Sequence, residues 1–204
     1  METTPVIRPQ TPQDDDAVAR LIAQAFGDEG TAVVDVWADV VARGLDCAQL
    51  VAVEDDDEGR VVGHVGLSHG WLDARQALVD VLVLSPLSVA PDRQAAGIGT
   101  ALLAAAVAEA ERLGAPVVVL EGDPGYYSRR GWVPGAEHGI EAPSARIPGP
   151  AFQVVLLDGH EEWMTGRVVY REVWWEHDAT GLRDPHLAQV EEVLTRRSRP
   201  AAPR

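Results

Sequence analysis

The run Leu87-Ser88-Val89-Ala90-Pro91-Asp92-Arg93-Gln94-Ala95-Ala96-Gly97-Ile98-Gly99-Thr100-Ala101-Leu102-Leu103 constrains this chain more than any other. A β-rich stretch ends, a loop of small residues turns, and an alanine-rich helix begins near Ile98. Gly97 and Gly99 let backbone approach a ligand closely, while Ala95 and Ala96 keep the rim free of bulk. Amides at the helix start then converge on one spot, which suits a diphosphate. Two well-known phosphate loops do not fit. A dinucleotide fingerprint sets its glycines after the first strand and adds a third at the sixth position, here Leu102. A P-loop needs Gly-Lys, and the sequence contains no lysine.

The missing residue types reach further. All 17 Lys-or-Arg positions are arginine, and asparagine is absent too. That excludes the kinase strand lysine, a pyridoxal Schiff base and Asn-linked glycosylation. A GC-rich genome accounts for both absences, because lysine and asparagine codons are AT-rich. The net charge of −15 opposes nucleic acid or an anionic membrane as partner and would attract a cationic amine, although acidic surfaces also serve solubility alone. Cys47 is the only cysteine, so an internal disulfide and a thiolate zinc cluster are excluded, and no metal is expected. No apolar run approaches the roughly 20 residues that cross a bilayer, and Met1 to Pro5 lacks the features of a signal peptide. A cytoplasmic protein is expected.

Along the chain, Val6-Ile7-Arg8-Pro9 reads as a strand, and Thr11-Pro12-Gln13-Asp14 as a helix start with Thr11 as N-cap. Val18, Leu21, Ile22 and Phe26 follow helical spacing; a second helix spans about Ala32 to Arg43 and stops at Gly44. Leu50 to Val53 and Val61 to Leu67 read as a hairpin around an acidic, solvated turn, Glu54 to Arg60. Val79 to Val89 is a β-rich stretch with a bulge or splayed end at Ser85-Pro86, since proline cannot donate to a ladder. A helix over about Ile98 to Leu113 leads to the strand Pro116 to Leu120. Tyr126 to Trp132 reads as a short helix and turn, Ala142 to Pro150 as a loop, Phe152 to Leu157 as a strand, and Val168 to Trp175 as another. The order implies a mixed α/β sheet in one domain over residues 1–176. Residues 177–204 form a C-terminal extension, with an amphipathic helix from Leu187 to Arg196 that packs on the domain or mediates a homodimer.

A second segment narrows the function. Gly122-Asp123-Pro124-Gly125-Tyr126-Tyr127-Ser128-Arg129-Arg130-Gly131-Trp132 follows the strand after the alanine-rich helix. With Gln94-Ala95-Ala96-Gly97-Ile98-Gly99, it resembles the GNAT N-acetyltransferase family, its YhbS-like members in particular, whose loop reads Gln/Arg-x-x-Gly-x-Gly/Ala. The resemblance covers about Val6 to Trp175. It implies the GNAT fold, a mixed central sheet flanked by helices, and transfer of acetyl from acetyl-CoA directly to a primary amine of a small molecule or peptide. It further implies that the strand end Leu87-Ser88-Val89 offers main-chain groups to the pantetheine arm and acetyl carbonyl. Gln94, Ala95, Ala96, Gly97, Ile98, Gly99 and Thr100 would hold the diphosphate, and Tyr127 would protonate the leaving thiolate. Ala95 stands where the family often has glycine, a harmless change if only amides are needed. Tyr126 is assigned to packing.

The general base stays open among Asp80, Glu121, His64, His69 and water. Many relatives carry a carboxylate on the strand before the loop, where this chain has Leu82-Val83-Leu84. Trp163, Trp174 and Trp175 either line an acceptor pocket or pack the core. A silent acyl-CoA-binding sensor of the same fold is the alternative to an enzyme, and a longer acyl group or a hydroxyl acceptor is a third possibility.

Overall fold

Val81, Leu82, Val83 and Leu84 are four consecutive apolar residues, all buried. A strand covered on both faces allows that. The computed structural model, which describes residues 5–54 and 59–181, contains such a strand. In chain order the elements are β1 (Val6–Pro9), α1 (Asp15–Phe26), α2 (Gly30–Ala42), β2 (Asp46–Val53), β3 (Val61–Ala74), β4 (Leu78–Val89) and α3 (Ile98–Arg112). There follow β5 (Val117–Glu121), α4 (Pro124–Tyr127), β6 (Val133–Pro134), β7 (Ile140–Glu141), β8 (Phe152–Leu156), β9 (Gly166–Tyr170) and α5 (Glu172–Glu176). Among the described residues no helix is long and apolar enough to cross a membrane.

Strand parity divides the interior into two cores. Val81, Val83, Val117 and Val119 pack with Val36, Trp37 and Val40 of α2 on one face of the sheet. Leu82, Leu84, Val118 and Leu120 pack with Leu102, Leu103 and Ala106 of α3 on the other. The alanines of α3 let it lie close: Ala106 and Ala110 are fully buried. Ahead of α1, Pro12–Asp14 forms one 3₁₀ turn. Its Asp14 carboxylate accepts from the Thr11 amide and hydroxyl, both at 2.8 Å, and from the Arg8 guanidinium at 2.7 and 2.9 Å. The pair fastens β1 to α1, and Arg8 holds Asp14 well below the usual carboxylate range.

The sheet runs β1-β2-β3-β4-β5-β8-β6, with β9 pairing β3 and β7 off that path. β3 is long because it serves two partners. Its first half pairs β2 from Val53↔Val61 to Asp46↔Ser68, and its second half pairs β9 from Gly70↔Tyr170 to Ala74↔Gly166. This corrects the strand expected over Val168 to Trp175. Beyond Tyr170 the edge of β3 is already occupied by β2, so the chain turns into α5 and carries Trp174 and Trp175 on a helix. The helix expected over Leu187 to Arg196 lies outside the described residues, as do residues 55–58 of the acidic turn.

Candidate active site

The site begins with a failure of pairing. The parallel strands β4 and β5 are joined at Leu82↔Val118 and Val83↔Val119. Past that point β4 stays with β3 and β5 stays with β8. The expected bulge at Ser85-Pro86 is present: both residues lie opposite Gly66 alone, between the pairs Leu67↔Leu84 and Val65↔Leu87. Two versus one bends the bulged strand. Between the parted strands opens a cleft of about 1270 Å³, walled by Val83 to Leu87 on one side and Glu121 to Asp123 on the other.

The motif after β4 forms one end of this cleft. Leu87, Val89, Gln94, Ala95, Gly97, Ile98, Gly99 and Thr100 all line it. Ser88 and Ala96 do not. Ser88 is buried, and Ala96 borders a separate cavity of about 120 Å³ with Ile7 and Ala52. Gly97 caps α3 in the left-handed region at φ 85°, and a Cβ there would meet nothing within 4 Å. Ala95 also takes a left-handed φ, 61°, so its side chain is not without effect; an L-residue there costs about 1–2 kcal/mol. Gln94 donates its amide to the Val89 carbonyl at 3.3 Å.

Tyr126 and Tyr127 reach the same end from α4. Asp123 opens this single turn by accepting from the Gly125 amide at 2.8 Å. The Tyr127 ring lies over Gly122, where a Cβ would fall 2.1 Å from Cε2, and stands edge-on to buried Trp132 at 6.1 Å. Burial pushes the Tyr127 phenol well up, so it holds its proton through the neutral range. Tyr126 packs against the α3-side core as expected, but it also lines the cleft, and its hydroxyl lies 2.5 Å from where a Gly99 Cβ would be. Arg130 stacks on the Tyr126 ring at 3.6 Å and donates to Thr100 Oγ at 2.8 Å. Sequence reasoning passed over Arg130 and Arg93, which both line the cleft. Two arginines one residue beyond the Tyr pair, Arg129 and Arg130, were the available signal, but only the fold brings one of them back to the start of α3. The parted edge of β4, the α3 amides and the Arg130 guanidinium together fit a diphosphate with an extended arm.

Of the four candidate bases, Glu121 alone lines the cleft. His69 and Asp80 bond one another at 2.9 Å toward the opposite end of β3 and β4. His64 is fully buried beside Trp37 with no hydrogen-bond partner; burial drives it down to about 3, so it stays neutral.

This geometry agrees with the comparison to known proteins. Residues 6–135 match the Acetyltransferase (GNAT) domain family. The chain belongs to the GNAT family. It is 31% identical over 170 residues to the uncharacterized N-acetyltransferase YhbS of Escherichia coli K12, covering 82% of this chain and 96% of that protein. The crystal structure of E. coli YhbS in complex with CoA superposes with a TM-score of 0.74 at 26% identity, over 84% of this chain and 92% of that one. A Brucella melitensis GNAT acetyltransferase in complex with acetyl-CoA gives 0.65 at 28% identity, over 83% and 97%.

The half of this GNAT cleft away from α3 has a different chemistry. Phe26, Val33 and Val36 of the first two helices face Tyr170 and Trp174 across it, and residues 177–179 and Gly181 border it. That border is pinned: His177 bonds Asp39 at 2.7 Å, Asp178 pairs with Arg146 at 2.5 Å, and the Gly181 amide donates to Glu121 at 3.0 Å. Trp174 is thus both packed and part of the cleft wall. Trp163 packs against the core, and Trp175 is 42% exposed.

Proposed function

We propose that this protein transfers an acetyl group from acetyl-CoA directly to a primary amine, within a ternary complex. The carrying observation is that Tyr127 and the Gly97–Gly99 helix start line the same cleft, which opens where β4 and β5 part. In this reading the α3 amides and Arg130 hold the diphosphate. The free edge of β4 around Leu87 and Val89 receives the pantetheine arm and directs the thioester toward Tyr127. Leu82-Val83-Leu84 puts no carboxylate on the part of β4 that borders the cleft, and Asp80 lies toward its other end, so in this reading the base comes from elsewhere in the cleft.

Tyr127 acts as the general acid. As the amine nitrogen attacks and the C–S bond breaks, the sulfur takes the phenolic proton, and the surplus proton on nitrogen restores the phenol through solvent. The same burial that keeps Tyr127 protonated opposes a lasting phenolate, so the two transfers must be close in time.

Thiol release from acetyl-CoA over a panel of polyamines, aminoglycosides, amino acids and apolar amines tests the assignment. Amine-dependent release is expected. Tight CoA binding with no release on any amine would instead identify a sensor of the same fold.

A further inference from the structure

Alternation along β5 sends Val118 and Leu120 toward α3, and Val117, Val119 and Glu121 toward α1 and α2. Glu121 therefore looks into the half of the cleft that the donor does not need. That half of the cleft is lined largely by apolar side chains, among them Phe26, Val33, Val36 and Trp174. Of the four or so lone-pair positions on a carboxylate, the Gly181 amide takes one at 3.0 Å, and the Tyr170 hydroxyl points to a second. The buried Tyr170 hydroxyl lies beside the carboxyl and donates toward it, which lowers Glu121 and raises Tyr170. A half-buried carboxyl that lines the cleft with acceptor capacity to spare points to a polar group arriving from outside.

The charged groups around this spot are few. Arg146 pulls weakly on Glu121 and is itself paired with Asp178. His177 is held by Asp39. Glu29, Asp123 and Asp178 stand on the exposed rim, and Tyr127 faces the other core. Burial raises Glu121 to about 7.

Resting on the transferase reading above, we infer that Glu121 takes the proton from the acceptor's ammonium, and that the acceptor is a primary amine carried on an uncharged, largely apolar body. A single carboxyl lies inside this half of the cleft among the described residues, so one ammonium is matched there; further cationic centres would have to stay on the rim. The apolar walls favour the transfer itself, because an ammonium and a carboxylate become a neutral amine and a neutral acid. The freed lone pair then attacks the thioester carbonyl, the C–N bond forms and the C–S bond breaks. Sulfur receives its proton from Tyr127, the nitrogen's second proton restores Tyr127, and Glu121 releases the first to solvent. The products are an amide, free CoA thiol and one proton.

The test compares wild type with Glu121→Gln, using phenethylamine, tryptamine and hexylamine against spermidine and kanamycin, with thiol release followed from about pH 6 to about pH 9. Wild-type kcat/KM is expected to rise with pH through about 7, and to be at least roughly tenfold higher for the apolar amines than for the polycations, a margin the burial of one or two methylenes supplies. Glu121→Gln should lower kcat by about a hundred- to ten-thousandfold near neutrality and lose that rise, then recover as high pH deprotonates the amine unaided. Its CoA-induced melting shift should equal that of wild type, which shows that the variant folds. A Glu121→Gln enzyme that keeps both rate and pH profile overturns the base, and a preference for polycations overturns the apolar acceptor. No release by wild type on any amine overturns the transferase reading, and this inference with it.

Discussion

At the scale of single residues, the adjacent tyrosines separate two roles. Both are partly buried in the cleft, with rings 5.0 Å apart and nearly perpendicular. Tyr127 sits on Gly122, while the Tyr126 hydroxyl sits over Gly99 at the start of α3. Tyr127→Phe should therefore lower kcat by about ten- to ten-thousandfold, the range for a lost general acid, with little change in donor affinity. Tyr126→Phe should leave kcat near wild type and weaken CoA instead, since its hydroxyl borders the diphosphate end. Steady-state kinetics on the two variants check this. Equal and mild effects at both positions would remove Tyr127 from the mechanism and leave protonation to solvent.

At the scale of elements, the start of α3 is the part most exposed to a decisive substitution. Any side chain at Gly97 is strained by its φ of 85° but meets no neighbouring atom. Gly99 is a poorer probe, because a Cβ there would displace the Tyr126 hydroxyl. Gly97→Asp should fold, since an acidic group at a helix start offsets part of the strain. Its carboxylate would then compete with a diphosphate for the same amides. The CoA-dependent rise in melting temperature, a mass-action effect of ligand on the folded state, should be abolished. A full rise in that variant would show that the donor binds elsewhere.

At the scale of the whole molecule, distant parts of the chain meet around Glu121. Residues 177–181 tie α2, the Arg146 loop and β5 together. Gly181 supplies an amide that lowers Glu121, while burial, the larger influence, raises it. Truncation after Glu176 removes that amide and opens this border of the cleft to water, so the carboxyl should fall back toward its ordinary range near 4.5. The rising limb of kcat/KM should move below pH 7, thiol release should drop by about tenfold or more as the base weakens, and the CoA-induced melting shift should persist. A truncated protein with unchanged rate and profile would make the segment an inert tail.

Local chemistry determined much of this protein from sequence alone. The strand–loop–helix from Leu87 to Leu103, the Gly122 to Trp132 turn and the helix and strand periods depend on neighbours within one or two turns, so each was legible without tertiary contacts. The same holds for the bulge at Ser85-Pro86, which follows from a missing amide. Other features depended on residues far apart in the chain. β9 stops at Tyr170 because β2 already occupies the edge of β3. Tyr126 lines the cleft because α4 folds back over Gly99. Of the four candidate bases, the parting of β4 and β5 brought Glu121 alone to the cleft, with His64 buried in the core and His69 and Asp80 toward the far end of the sheet. A carboxyl's surroundings are set by whichever segments fold around it, and those surroundings, not its sequence neighbours, fix its affinity for a proton.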